Sequence, residues 1–334
     1  MKSPRKPRRL SDSLKATFRR RLFAWYDGHR RDLPWRQNRD PYRVWLSEIM
    51  LQQTRVAAVI EHYHEFLRRF PTVEKLAAAR EASVLAAWSG LGYYRRARML
   101  HAAAKIIVRA HGGRFPQTEK GLRALPGIGR YTAAAIASIV FDHQVAVLDG
   151  NVERVLQRVL GKRRVTEELW AVANDLLDKG RPGDFNQAVM ELGAMVCTPR
   201  APVCLTCPVL ELCATRGELP ATEKPVPQKK CEIHCALNYR DGDRRERAVF
   251  LVQRARDASL MAGMWELPEL ADTNGAAGPW FTLRHSITVT DYTVSVWRHT
   301  NPSGTGGKWI AMEKLPKVAL TGLARKILRK ADLL

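Results

Sequence analysis

Four cysteines stand close together in the sequence: Cys197, Cys204, Cys207 and Cys213, spaced C-x6-C-x2-C-x5-C. Four thiolates from one short loop can close on a tetrahedral site, and their softness suits zinc and a four-iron four-sulfur cluster alike. Upstream, Leu125-Pro126-Gly127-Ile128-Gly129-Arg130-Tyr131-Thr132 lies between two helical stretches. Gly127 and Gly129 let the backbone turn tightly. The helix that starts after them offers unpaired N–H groups and a positive dipole end, a ready phosphate site. A plain helix–helix turn would carry the same glycines. Two carboxylates complete the set. Glu48 sits in an apolar helical run, and alone it reads as a paired surface residue. Asp149 precedes another helix, and alone it reads as an N-cap.

The chain that must position these groups has 334 residues, enough for two ordinary domains. Its 55 Lys and Arg against 33 Asp and Glu give a formal charge of +22. With 46% hydrophobic and 26% charged residues it has a globular balance pushed to the basic side, not the composition of a disordered chain or a collagen. No apolar run reaches the ~18 residues of a transmembrane helix. The charge points to a polyanionic partner, most simply nucleic acid; a membrane surface or a ribosome would fit it equally well. Residues 1–21 carry nine basic side chains against Asp12 and no apolar core, which suits a solvated tail or a phosphate-binding arm but not a secretory signal. Clustered cysteines without an export signal argue for a reducing compartment. Cys231 and Cys235 fall four apart on an expected strand, ~13 Å from each other. With His234 they could bind zinc, but buried packing is the favoured reading.

Apolar residues recur at near-helical spacing from Trp45 through Ile49, Val56, Ile60, Tyr63 and Leu67 to Phe70, so the whole of Val44–Phe70 reads as helix. Val84–Val108 and Ala133–Val140 continue in the same style. The proline-rich segment 218–230 reads as a semi-rigid linker. Beyond it, Ile233–Tyr239, Ala248–Gln253, Ile287–Val289 and Tyr292–Trp297 read as strands, and Leu320–Leu333 as a closing helix. The expected organisation is a basic tail (1–11), an all-α domain (12–217), a linker (218–230) and a smaller α+β domain (231–334).

Several segments together carry a resemblance: Leu33-Pro34-Trp35-Arg36, Val44–Thr54 (VWLSEIMLQQT), Gly90-Leu91-Gly92-Tyr93-Tyr94, the glycine hairpin, Leu148-Asp149-Gly150-Asn151-Val152 and the cysteine loop. The chain resembles the helix-hairpin-helix superfamily of DNA glycosylases and, within it, the MutY-type adenine DNA glycosylases. The resemblance covers nearly the whole length. It implies a multidomain fold: an all-α helix-hairpin-helix domain with an iron–sulfur loop, then a Nudix-like α+β recognition domain. It favours one 4Fe-4S cluster on the four loop cysteines over zinc.

Cleaving an N-glycosidic bond needs an acid for the leaving base and a negative charge beside the oxocarbenium-like sugar, as paired carboxylates supply in glycoside hydrolases. Glu48 on an apolar helix face should be desolvated and keep a proton near neutrality. Asp149 among helix N–H donors should stay ionised. The resemblance makes Glu48 the acid that protonates adenine N7 and Asp149 the carboxylate that steadies the cation, with Tyr131 and Asn151 orienting sugar and water. The related endonuclease III branch has a lysine at the Tyr131 position, which forms a Schiff base; Tyr131 cannot, so base removal without efficient strand cleavage is expected. The resemblance further gives Tyr93 and Gln53 as residues entering the base stack of duplex DNA around a flipped-out adenine. It gives Arg36 and Gln187 as readers of adenine's edge, and Gly127, Gly129 and Arg130 as backbone-contacting residues.

In the family the C-terminal domain finds 8-oxoguanine with a Phe-Ser-His loop. Here the corresponding stretch, after Arg284-His285-Ser286, reads Ile287-Thr288-Val289, and Ser286, Ile287 and Thr288 are the expected readers of the opposite base. Weaker discrimination between 8-oxoguanine and guanine, or a different lesion, follows as an expectation. The implied protein is a monomer that binds double-stranded DNA, needs no membrane and works in the bacterial-type cytoplasm at the nucleoid. A thymine mismatch glycosylase, an endonuclease III-like lyase and a non-catalytic iron–sulfur DNA-binding module are the alternatives.

Overall fold

The computed structural model describes residues 11–220, 228–240, 247–270, 278–287, 289–298 and 306–334. Most of the expected basic tail, the middle of the expected linker and Thr288 lie outside these residues. Helices come first: α1 (Asp12–His29), α2 (Pro41–Leu51), α3 (Val56–Arg69), α4 (Val73–Ala78), α5 (Glu81–Ala87), α6 (Arg95–His111), α7 (Glu119–Arg123), α8 (Arg130–Phe141), α9 (Gly150–Leu160), α10 (Thr166–Leu176) and α11 (Pro182–Met195). Strands follow: β1 (Lys229–Leu237), β2 (Tyr239–Arg240), β3 (Ala248–Gln253), β4 (Trp265–Glu266), β5 (Phe281–Ile287), β6 (Thr290–Arg298) and β7 (Gly307–Ala311), closed by α12 (Gly322–Lys330). Among the described residues no helix is long and apolar enough to cross a membrane.

Contacts sort the described chain into two units. One comprises the residues up to Tyr63 together with those from Ala102 to Pro220; the other comprises His64–His101 and everything described from 228 onward. The helices of 64–101 thus cluster with the C-terminal strands, whereas the sequence reading places them with the N-terminal helices. The run read as continuous helix from Val44 to Phe70 is broken between Leu51 and Val56, where Gln53 takes a left-handed φ of 56°. Periodicity misses the break because Gln52–Arg55 contains neither glycine nor proline.

In the first unit, α2 starts on a proline behind the N-cap Asp40, whose carboxylate accepts the Arg43 N–H at 2.8 Å. Its residues Val44–Met50 are all buried, including Ser47 and Glu48. The alanine-rich α8 buries Thr132–Ile139, small side chains that let neighbouring helices approach closely. In α9, Val152, Val155, Leu156 and Val159 form one buried stripe at helical spacing. Helix α11 packs on α8 and α9. A Cβ on Gly193 would stand 2.7 Å from the Asn151 Cβ, so only glycine lets α11 come this close to the first turn of α9.

In the second unit, β1 runs parallel to β6, and β5 pairs with the other side of β6 antiparallel, giving the order β1-β6-β5. A second sheet has the order β2-β3-β4 with β7 on β3. Helix α12 contributes Ala324, Ile327 and Leu328 to the core of these sheets. Cys235 on β1 is 5% exposed within that core, and burial pushes its thiol up to about 12.

Candidate active site

Glu48 occupies the last turn of α2 and is 7% exposed. Its Oε2 accepts the Tyr131 hydroxyl at 2.8 Å. Loss of water lifts its pKa from 4.5 to about 7. Asp149 adds to the rise, while the Tyr131 hydroxyl and the Arg36 guanidinium oppose it. Burial and the two carboxylates drive the Tyr131 phenol far above its usual range, so it remains a donor. The same hydroxyl lies 3.2 Å from Met190 Sδ.

Asp149 is the N-cap of α9. Its Oδ1 accepts the Val152 N–H at 2.8 Å and its Oδ2 accepts the Asn151 amide at 3.0 Å. Helix N–H donors alone would hold its pKa down, as the sequence reading expects. Burial instead raises it, and the Val152 and Asn151 donors offset only a fraction of that rise. Asn151 is fixed on both sides: Arg154 Nη2 donates to its Oδ1 at 2.7 Å, so its nitrogen must face Asp149. Arg154 also donates to the Gly193 carbonyl and, through Nε, to the Cys197 carbonyl, each at 2.7 Å.

Glu48, Tyr131, Asp149 and Asn151 share one cavity of about 630 Å³, with Arg36, Gln53 and Gln187 in its wall. That size lies within the usual range for small-molecule sites. Arg36 is held from behind. Glu191, 1% exposed, accepts from Arg36 Nη2 at 2.9 Å and from Arg31 Nε and Nη2 at 2.9 and 2.7 Å. Burial pushes the Glu191 pKa up, but the two guanidinium groups overcome it and bring it down to about 2. Sequence reasoning misses Glu191, Arg31 and Arg154. For Glu191 the signal is present: a glutamate inside an apolar helical run, the same signal that singles out Glu48.

The glycine hairpin joins α7 to α8 with Gly127 at φ 77° and Gly129 as the N-cap of α8. The side chain of Arg130 is engaged elsewhere: it pairs with both oxygens of Glu167 and lies 4.0 Å from the Trp170 ring centroid. The groups that the hairpin itself presents are its backbone N–H donors. Tyr93, in the second unit, is half exposed. In that unit too, Ser286 and Ile287 end β5, and the Ser286 hydroxyl donates to Asp291.

No two of the six cysteines are joined in a disulfide among the described residues. Cys197 follows Val196, the C-cap of α11, Cys204 opens a 3-10 turn, and Cys207 and Cys213 follow such turns. Arg158 Nη1 donates to Cys197 Sγ at 3.3 Å, and the Arg216 N–H points at Cys213 Sγ at 3.4 Å. Burial raises the Cys204 and Cys207 thiols, and Cys197 and Cys213 raise both further. Among the described residues no three His, Cys, Asp or Glu side chains are gathered at metal-binding separations. The donor chemistry nevertheless fits an anionic tetrathiolate group: four soft ligands on one loop, faced by a guanidinium and a backbone N–H.

The helical, hairpin-bearing unit sets the buried Glu48 and the half-buried Asp149 on one cavity, and its sequence resembles the base excision DNA repair proteins. Residues 46–175 match the HhH-GPD superfamily of base excision DNA repair proteins. The adenine DNA glycosylase of Rattus norvegicus is 47% identical over 262 residues, 72% of this chain and 50% of the relative. That of Schizosaccharomyces pombe is 33% identical over 321 residues, 76% of this chain and 69% of the relative. A solved thermostable thymine-DNA glycosylase superposes with TM-score 0.58 at 30% identity, covering 61% of this chain and 97% of that one. The chain belongs to the adenine DNA glycosylase family, within the HhH-GPD superfamily. It spans about half the length of the two rodent relatives it matches.

Proposed function

We propose that the chain is a monofunctional DNA glycosylase that hydrolyses the N-glycosidic bond of adenine mispaired with 8-oxoguanine or guanine. The observation that carries this is Glu48, a carboxyl that holds its proton to about pH 7 and shares a nucleotide-sized cavity with the N-cap carboxylate Asp149. Glu48 gives its proton to N7 of the extruded adenine. The C1′–N9 bond then breaks with its electron pair passing to the base, and Asp149 faces the positive sugar left behind. A water, oriented by Asn151, adds to C1′ and passes its proton to the Glu48 carboxylate, which leaves an abasic sugar and restores the acid. Arg36, braced by Glu191, and Gln187 face the adenine edge. Tyr131 supplies no amine, so no Schiff base forms and the strand stays intact.

The partner is double-stranded DNA bound by a monomer of this chain. The hairpin N–H groups take a phosphate, and Gln53 and Tyr93 enter the stack vacated by the base. The end of β5 with Thr288 reads the opposite base. Cys197, Cys204, Cys207 and Cys213 would hold one 4Fe-4S cluster. When bound, such a cluster ties the loop into a rigid, basic DNA-facing surface.

The test is single-turnover base release from duplexes carrying adenine opposite 8-oxoguanine, adenine opposite guanine, and thymine opposite guanine. Adenine release that vanishes in Glu48→Gln while DNA binding persists supports the reading. Thymine release, or a borohydride-trapped covalent complex, contradicts it.

A further inference from the structure

The loop that carries Tyr93 is bent by three closely spaced features: Gly90 at φ 110°, Gly92 at φ 67° and Tyr93 itself at φ 48°. A tyrosine in the left-handed region costs about 1–2 kcal/mol that the surroundings must hold in place. Tyr93 is also half exposed, so packing of its own ring does not do this. What holds the turn is Arg96, in the first turn of α6. Its Nη2 donates to the carbonyls of Leu91 and Gly92, at 3.0 and 3.2 Å. Its main-chain N–H donates to the Tyr93 carbonyl at 2.8 Å. The Trp88 indole N–H adds a second donor to the Gly92 carbonyl at 3.1 Å. Three successive carbonyls are thereby turned toward one residue.

The guanidinium does a second thing. Its carbon lies 5.4 Å from the Trp88 ring centroid and 5.5 Å from that of Tyr93. Trp88 is fully buried, so the cation links an anchored indole to the projecting phenol ring. The guanidinium is itself partly withdrawn from water, which lowers its pKa to about 10. A planar fork that both bridges two carbonyls and stacks on aromatic faces is a task for arginine, and lysine cannot repeat it.

We propose that Arg96 is a positioning residue that holds Tyr93 in the strained, outward orientation needed to enter the DNA stack. The inference rests on the reading of Tyr93 as a stack-entering residue. A ring that must wedge between stacked bases works best when its conformation is set beforehand, since any freedom it loses on entry is subtracted from the binding energy. Arg96 touches neither base nor sugar in this account; it acts through Tyr93.

The experiment follows extrusion by stopped-flow fluorescence of 2-aminopurine placed beside the target adenine, with single-turnover base release in parallel. The proteins are wild type, Arg96→Met, Arg96→Lys, Tyr93→Ala and the Arg96→Met/Tyr93→Ala double variant. Arg96→Met should slow extrusion by about tenfold, the scale of lost charged hydrogen bonds and a cation–π contact. Arg96→Lys, which keeps charge and stem, should recover only a fraction of this. In the Tyr93→Ala background the arginine change should add nothing. Wild-type extrusion by Arg96→Met, or a full additional loss in the double variant, overturns the proposal. If Tyr93→Ala itself extrudes at the wild-type rate, the reading of Tyr93 fails instead. Should Arg96→Met not fold, judged by its thermal midpoint, Arg96→Lys and its double variant with Tyr93→Ala decide the question.

Discussion

Glu48 and Glu191 are both buried glutamates on helices that wall the same cavity, and they titrate at opposite ends of the range, about 7 and about 2. Both side chains are nearly out of water, at 7% and 1% exposure, and burial pushes both pKa values up. Their partners differ. Glu48 receives the neutral Tyr131 hydroxyl and feels the Asp149 carboxylate; Glu191 receives two guanidinium groups. Burial sets the cost of a charge, and the donors nearby decide whether the group keeps its proton or surrenders it. One protein wall thus offers a proton, and the other a fixed anion that holds Arg36 in place.

The comparison breaks most sharply on activity. Glu48→Gln should lower single-turnover base release by about 10³-fold, the reach of a general acid, and leave DNA affinity nearly intact. Glu191→Ala should instead be a stability variant. It strands Arg31 and Arg36 without a counter-ion, at a cost of about 3–5 kcal/mol in denaturant unfolding.

Next comes pH, where the two glutamates act with opposite sign. Glu191 has its folded pKa depressed from 4.5 to about 2. It contributes on the order of 3 kcal/mol above pH 4.5, lost as pH falls toward 2. Glu48 has its folded pKa raised from 4.5 to about 7. Below 4.5 it is protonated in both states and costs nothing. Between 4.5 and 7 only the unfolded form ionises, and above 7 the folded state carries a penalty on the order of 3 kcal/mol. Glu48→Gln should therefore unfold at higher denaturant than wild type at pH 8, with the gap closing by pH 4. Base release should fall about tenfold per pH unit above 7 as the acid loses its proton. The smallest effect is expected from Tyr131→Phe. Removing the donor to Glu48 should move that alkaline limb to higher pH and change the rate at pH 7 by only about fivefold. An unmoved limb would mean that another group sets it.

Glu48 and Asp149 stand at marked places in their helices, one on an apolar stripe and one at a start, but alone each reads as structural; the need for paired carboxylates and the family resemblance make them legible. Glu191 stands equally marked in α11, but its meaning depends on Arg31 and Arg36, which approach from about 155–160 positions away along the chain. No local pattern reports such a partner. The upward shift of Asp149 escapes for a similar reason: the cap donors are visible in sequence, while the burial that outweighs them is tertiary. Arg130 is expected at the DNA backbone from the resemblance, while its pairing with Glu167 and its place over Trp170 are tertiary and unmarked in the local pattern. The clustering of 64–101 with the C-terminal strands likewise cannot be read from helix periodicity, which gives the faces of helices but not which partner they meet.

Gly193 carries a warning for anyone wishing to toughen this protein. Replacing glycines in the middle of helices by alanine is a common recipe for thermostabilisation, worth up to about 1 kcal/mol where space allows. Here the added methyl would wedge α11 away from Asn151 and tilt the start of α9 with it, so the Asp149 carboxylate at that helix end would be dragged out of register. The helix forgoes intrinsic rigidity so that its neighbour's cap stays aligned, and that alignment would be the first casualty of a sturdier variant.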